Sequence, residues 1–252
     1  MATSITADVA DVLSRATIAG TLLKLPDEKL DRTLYQKVDK VLTSLGGKWN
    51  RKQGGHVFDT DPTARLDEGL GKGSVVSRTQ TLQFFETPEA LADDLVSRLD
   101  IQPDDVCLEP SAGRGRIVAA LKKAGAFDIT AIDVDADNMA AVMKQGIAIR
   151  MMEGDFLTIA DPVTYDVVAM NPPFRANQDI RHVRHAWSLL HPGGRLGAIV
   201  SEHGFLGRER EAVEWRDWLN EVDAEIEVIP AGAFREGGTM VQTRMIVIRR
   251  PA

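Results

Sequence analysis

The sequence predicts an α/β fold: a mostly parallel sheet with helices on both faces, an antiparallel C-terminal strand, and a small helix–hairpin segment in front. Three observations carry this expectation. From residue 84 onward, apolar runs of strand length alternate with apolar patterns at helical spacing, the rhythm of β–α–β units. The last two strand-like runs are joined only by Ala231 to Met240. That stretch is Gly-rich and too short for a crossover helix, so the two runs should pair antiparallel. Before residue 84 the pattern is different, with one amphipathic helix followed by a short hairpin.

Taken in order, residues 27–44 read as a helix, because Leu34, Val38, Val41, Leu42 and Leu45 recur at helical spacing. Pro26 and Asp27 sit where such a helix would start, and Gly46-Gly47 stops it. Lys48 to Phe58 carries Gly54-Gly55 between two short runs and reads as a β-hairpin with a basic tip. Helix followed by hairpin resembles a winged-helix element. Trp49 and Phe58 are expected to form the small segment's own core. Residues 59–80, rich in Gly, Asp, Thr and Ser, read as a linker. The expected division is therefore 1–80 and 81–252. In the second part, strands are expected at 105–109, 128–133, 147–151, 165–170, 195–201, 225–230 and 241–249. Helices are expected at 88–99, 115–124, 136–145, 178–190 and 208–221.

The 252 residues suffice for one large domain or a domain with an appendage. The single cysteine, Cys107, excludes an internal disulfide or a cysteine-based zinc site and reads as a buried apolar residue. No metal site is expected, since His182 and His185 read as helix surface. Met1 to Gly20 lacks the shape of a signal peptide, and no run approaches the ~18 apolar residues of a membrane span. A cytoplasmic protein is expected. Net charge is −7, which by itself argues against a nucleic-acid partner. The distribution softens this: residues 1–83 carry 12 basic and 10 acidic side chains, against 18 and 27 in residues 84–252. Lys48, Arg51 and Lys52 lie on the hairpin and are candidate nucleic-acid contacts.

Four candidate elements fall at the carboxyl ends of expected strands, where open α/β sheets bind ligands. The first is Glu109-Pro110-Ser111-Ala112-Gly113-Arg114-Gly115-Arg116, a Gly-rich strand-to-helix turn. It lacks the third Gly of the dinucleotide fingerprint, with Val118 at that position. The second is Asp133, an acceptor suited to ribose hydroxyls. The third is Glu153-Gly154-Asp155-Phe156. The fourth is Asn171-Pro172-Pro173-Phe174. Its two prolines remove backbone donors, so the Asn171 amide oxygen and nearby carbonyls are left to accept, beside the flat Phe174 ring. Such a corner suits a planar ring carrying an amino group.

On these motifs, together with Phe85-Glu86-Thr87-Pro88 and Asp133-Val134-Asp135, residues 80–250 resemble the class I S-adenosylmethionine-dependent methyltransferases. Within that class they resemble the enzymes that act on adenine N6 in DNA, with the motif order of the gamma arrangement. The resemblance implies a Rossmann-like sheet and S-adenosyl-L-methionine as cofactor. It also implies roles. Thr87 and Pro88 would lie near the cofactor's methionine part, and Glu109, Pro110, Ser111, Ala112, Gly113 and Gly115 would wrap its amino acid moiety. Asp133 would hold the ribose and Val134 would pack on the adenine. Asp155 would accept from the adenine amino group, with Phe156 beside it. Asn171, Pro172, Pro173 and Phe174 would be catalytic. Asn171 Oδ1 and the Pro172 carbonyl would accept the target amine's N–H groups while Phe174 stacks on the base. Arg114 and Arg116 depart from the glycine-loop pattern; they contact a phosphate or the cofactor carboxylate, or pair with nearby acids.

Phe205 and Phe234 read first as core and second as a further wall for the base, and Arg235 is within reach of a phosphate. The resemblance implies a DNA methyltransferase; with no nuclease or helicase motif in the sequence, a solitary enzyme is expected, monomeric or homodimeric, whose basic N-terminal segment binds DNA or mediates dimerisation. No long C-terminal target-recognition domain, common in the gamma arrangement, is expected from these residues, which leaves base-sequence readout to the N-terminal segment, the long loops or a second subunit. The same corner also fits RNA adenine methyltransferases, protein glutamine methyltransferases, and a non-catalytic nucleic-acid-binding relative.

Overall fold

The structure, a computed structural model, describes residues 2–76, 86–159, 163–234 and 242–252. The chain forms two compact units, Met1–Phe84 and Phe85–Ala252.

The first unit holds helices α1 (Ala7–Ser14), α2 (Arg32–Ser44) and α3 (Thr63–Lys72). Strands β2 (Thr17–Ala19), β3 (Leu22–Lys24), β4 (Lys48–Asn50) and β5 (Gly55–Val57) form an antiparallel sheet in the order β2-β3-β5-β4. Two short strands, β1 (Thr3–Ser4) and β6 (Ser74–Val75), pair separately. Helix α2 starts five residues later than Asp27 suggested. The Asp31 carboxylate accepts from the Thr33 and Leu34 amides at 2.8 and 3.0 Å, and a cap that satisfies two open amides fixes the start. Val38, Val41 and Leu42 are buried from α2 against Val9, Val12 and Leu13 of α1 and Leu23 and Phe58.

Two expectations fail in this unit. The stretch read as a linker contains α3 and β6. Leu66 and Gly69 of α3 pack toward Val75 and Ile5, and a Cβ on Gly69 would lie 2.5 Å from Val75 Cγ1. Its glycines thus serve close packing and, at Gly73 (φ 65°), a left-handed helix end. Trp49 is the second failure. Phe58 is buried as expected, but Trp49 is 52% exposed. It sits on β4, the edge strand of its sheet among the described residues.

The second unit is built on seven strands: β7 (Val106–Glu109), β8 (Asp128–Asp133), β9 (Arg150–Glu153), β10 (Tyr165–Met170), β11 (Leu190–Ser201), β12 (Glu225–Ile229) and β13 (Thr243–Arg249). Their order is β12-β13-β11-β10-β7-β8-β9. Strands β7 to β11 run parallel, while β13 is antiparallel to both β11 and β12. One face carries α4 (Glu89–Ser97), α5 (Arg116–Lys123) and α6 (Ala136–Gln145), burying Ala92, Leu95, Val118, Leu121 and Val142. The other carries α7 (Gln178–Leu189) and α9 (Arg210–Glu221), burying Ile180, Val183, Trp215 and Leu219. A one-turn helix, α8 (His203–Leu206), follows β11.

Strand β9 begins at Arg150, later than the apolar run 147–151 suggested, because the ladder aligns Arg150 with Thr130 and leaves Ile149 exposed. Strand β11 begins at Leu190, which pairs with Tyr165 across a register shift. The order places β7 between β10 and β8. The chain leaves β7 toward β8 and leaves β10 toward β11, so a crevice opens at the carboxyl ends of β7 and β10.

Candidate active site

The turn after β7 is fixed almost wholly by backbone geometry. Gly113 and Gly115 adopt φ of 52° and 87°, which a side chain tolerates poorly. A Cβ on Gly115 would also lie 3.2 Å from Val142 Cγ2. The loop is tied to the end of β8 twice: the Ala112 amide donates to the Ile132 carbonyl (2.9 Å) and the Gly113 amide to Asp133 Oδ2 (2.8 Å). Asp133 Oδ1 accepts from the Asp135 amide and Asn138 Nδ2 at 2.9 and 3.1 Å. The acid expected to hold a ribose therefore also organises the glycine loop. Burial raises its pKa, against the pull of these donors.

Glu109 lies under the same loop and is fully buried. Desolvation holds its carboxyl well above the usual carboxylate range; the Ser111 amide at 3.0 Å opposes this, and the Asp133 charge adds to it. A buried carboxyl next to a second acid is a site where a cation binds with gain. Val134 is 51% exposed, and Asp155 is exposed. Both follow the ends of β8 and β9, so an apolar surface and an acidic acceptor stand beyond the glycine loop.

At the end of β10, Asn171 donates from Nδ2 to Thr87 Oγ1 at 3.0 Å, joining residues 84 positions apart. Thr87 is buried. The bond fixes the plane of the carboxamide and so the direction of its oxygen. Pro172 is buried, and Phe174 packs in part against the α4–α5 face of the core. A 3-10 turn, Arg175–Asn177, follows, with Ala176 and Asn177 at φ of 52° and 57°. Non-glycine residues in this region cost about 1–3 kcal/mol each. Part of that is offset where Asn177 Nδ2 donates to Glu211 Oε2 (2.8 Å) and Arg181 donates to the Ala176 carbonyl (2.5 Å).

Several expected placements are corrected. His182 is 5% exposed and is no surface residue. Its Nδ1 lies 3.4 Å from Ser111 Oγ in the glycine loop, and its ring lies 5.5 Å from that of Phe156. Burial lowers its pKa to about 4, so the imidazole is neutral at ordinary pH. His185 is half-buried, its ring 4.6 Å from that of Phe156. The Phe156 side chain is buried in the core against these two rings. Phe234 is 1% exposed and fills the α4–α5 face of the core; it is no wall for a base. Arg235 lies outside the described residues. Arg116 pairs with Glu86 at 2.8 Å. Phe205 carries the Arg244 guanidinium 4.2 Å above its ring, and Arg244 is held by Glu202 through two bonds of 2.8 Å.

Sequence reasoning missed one residue, Asp179. It is fully buried in the first turn of α7, and its Oδ2 accepts from the Ser201 amide and hydroxyl at 2.8 and 2.7 Å. This ties the helix that follows Phe174 to the end of β11. Its only sequence signal is an acid at a helix start, which reads equally well as a solvated cap.

The region from α4 to α9, residues 91–216, matches the family described as methyltransferase small domain. No curated protein matches the sequence. Three solved structures share the fold. A protein from Vibrio vulnificus described as a modification subunit of a type I restriction enzyme is 15% identical, covering 87% of this chain and 53% of its own, with a TM-score of 0.55. The M protein of the type I restriction enzyme EcoKI is 17% identical, covering 89% and 56%, with a TM-score of 0.55. A protein from Pyrococcus horikoshii described as an RNA methyltransferase is 17% identical, covering 68% and 88%, with a TM-score of 0.50. The chain spans about half the length of the two modification subunits. No helix among the described residues is long and apolar enough to cross a membrane. The glycine loop, the buried Glu109 and the Asn171 corner all fall within the matched region, and the chain belongs to the methyltransferase small domain family.

Proposed function

We propose that this protein is a solitary DNA methyltransferase, moving a methyl group from S-adenosyl-L-methionine to the N6 amine of an adenine turned out of the DNA stack. The family's methyl donor is S-adenosyl-L-methionine. When bound, it supplies an electrophilic methyl carbon on a sulfonium. The observation that carries the reading is the Asn171 carboxamide, locked by Thr87 at the carboxyl end of β10 and adjacent to the glycine loop of β7.

In this reading Glu109 meets the donor's ammonium group, and Pro110 to Gly115 wrap its amino acid part, with Thr87 and Pro88 beside it. Asp133 holds the ribose, Val134 packs on the donor's adenine, and Asp155 accepts from that adenine's amine. Asn171 Oδ1 and the Pro172 carbonyl accept the two N–H groups of the target amine. Its lone pair is otherwise delocalised into the ring, so holding both hydrogens out of plane directs that pair at the methyl carbon. Phe174 fixes the plane of the base. Such orientation supplies about 7–11 kcal/mol of a barrier at most. Extruding the base costs a few kcal/mol, and stacking of about 1–3 kcal/mol offsets part of it.

The N-terminal unit then helps to bind DNA, through Lys48, Arg51 and Lys52, or mediates dimerisation, and Arg114 and Arg235 reach phosphates. RNA is the alternative polymer, because the corner reads an amine and not the sugar behind it. The test is transfer of labelled methyl to DNA and RNA, followed by mapping of the modified base. N6-methyladenine in DNA, abolished by Asn171→Ala, is expected; label confined to RNA or protein overturns the reading.

A further inference from the structure

The hairpin of the first unit carries, beside the three cations proposed to meet DNA, an exposed tryptophan that the catalytic reading does not use. From Gly46 to Phe58 the sequence contains Lys48, Arg51, Lys52 and His56 and no acidic residue. Lys48, Arg51 and Lys52 are all exposed, and none pairs with an acid among the described residues. Several of the unit's acids pair with other cations, Asp8 with Lys37, Asp11 and Glu28 with Arg15, and Glu68 with Lys72, while Asp39 pairs with His56 of the hairpin. Lys48, Arg51 and Lys52 thus carry charge that no acid among the described residues pairs with.

Trp49 stands in the middle of these cations, half exposed on the outer edge of the sheet. Its ring is not loose. It packs at 5.3 Å, edge to face, on His56. His56 is fully buried and bonded to Asp39 at 2.9 Å, so the indole has a fixed support. Asn50 Oδ1 accepts from the Lys52 and Gln53 amides at 3.0 and 3.2 Å, which sets the turn that carries Arg51 and Lys52. A supported aromatic face among uncompensated cations matches a strand of nucleic acid, whose bases stack and whose phosphates need counter-charge. A protein partner would match the apolar face but would need its own dense acidic charge. Bases inside a duplex offer no free face to the ring.

We propose that Trp49, with Lys48, Arg51 and Lys52, forms a second nucleic-acid site on the N-terminal unit, one that grips an unstacked stretch of DNA by stacking one base on the indole. The choice of DNA rests on the function proposed above; the site itself rests on the hairpin.

The experiment uses the full chain and fluorescein-labelled single-stranded DNA, duplex DNA and RNA of one sequence, with binding read by anisotropy. The single strand should bind more tightly than the duplex. Trp49→Ala should weaken single-strand binding by about 5- to 100-fold, and Trp49→Phe should restore most of it. The triple change of Lys48, Arg51 and Lys52 to Ala should reduce the slope of log affinity against log salt by about 2. Unchanged single-strand affinity in Trp49→Ala overturns the proposal, as does binding of RNA but not DNA, or no nucleic-acid binding by the parent protein. The catalytic reading fails separately. Binding that depends on Trp49, without methyl transfer to DNA, keeps the site and removes the function; DNA methylation with unaltered Trp49→Ala binding does the reverse.

Discussion

Replacing Asn171 with Ala should separate chemistry from stability at a single residue. The side chain has two ends with different tasks. Nδ2 donates to Thr87 Oγ1 at 3.0 Å in a half-buried setting, and losing one such bond costs about 0.5–1.5 kcal/mol of stability. For a unit of this size that lowers the melting temperature by only about 2–6 °C. The Oδ1 end, in the proposed mechanism, accepts from the amine as positive charge develops on nitrogen. A preorganised group aimed at developing charge is worth about 10²–10³ in rate. Single-turnover transfer of labelled methyl to DNA should therefore fall by that factor, while cofactor affinity, read by calorimetry, changes little. Thr87→Val gives the control: the oxygen stays but its direction is released, so a loss of about tenfold, near 1.4 kcal/mol, is expected. The reasoning is refuted if Asn171→Ala transfers methyl within about fivefold of the parent, a loss below 1 kcal/mol. It is refuted equally if the whole loss of rate follows loss of fold.

Gly115→Ala adds a Cβ at φ of 87° and 3.2 Å from Val142; destabilisation of about 1–3 kcal/mol and weaker cofactor binding are expected from urea unfolding and calorimetry. Phe234→Ala should cost about 3–5 kcal/mol as a core truncation and leave the DNA KM of the folded fraction unchanged; the opposite pattern would return Phe234 to the base pocket. Glu109→Gln tests the buried carboxyl by pH. Its folded pKa is raised by burial, so the folded state binds the proton more tightly than the unfolded one. Its contribution to stability is full below the unfolded value of about 4.5 and is lost as pH rises through the folded pKa. The melting temperature of Glu109→Gln minus that of the parent should therefore grow as pH rises from about 4.5, while cofactor affinity falls; a difference independent of pH would show that Glu109 is not protonated more easily in the fold.

The sheet was legible because its strands are buried on both faces and read as continuous apolar runs, as Tyr165 to Met170 does. The edges were less so. Ile149 extends an apolar run yet faces solvent, because ladder register and not hydropathy decides where β9 starts. Helix α3 was hidden by its glycines, which a sequence pattern scores as flexibility and which here allow contact with Val75. In the site, residues whose backbone does the work were legible, since Gly113, Gly115 and the two prolines restrict conformation wherever they occur. Residues whose role depends on a tertiary neighbour were not. His182 and Asp179 look like solvated helix residues until α7 is laid against the glycine loop and the end of β11. Trp49 failed in the other direction, since hydropathy buries a tryptophan that the sheet order leaves on an edge.

Several unfavourable features of the second unit share a location. Glu109, Asp133 and Asp179 are carboxyl groups whose charged forms are penalised by burial. Ala176 and Asn177 hold left-handed backbone without being glycine, as do Asp100 and Asp223 in turns that follow helices. Apart from these last two, each lies at, or in the turn just after, the carboxyl end of β7, β8, β10 or, through the Ser201 bonds of Asp179, β11. The hydrophobic clusters on the two faces of the sheet are lined mainly by apolar side chains such as Leu95, Leu121, Val183 and Leu219. A fold under selection for stability alone would scatter such penalties or remove them. The group of them at this edge of the sheet fits the proposed site for a charged methyl donor and a planar amine, because pre-set acceptors and a fixed corner must exist before either guest arrives.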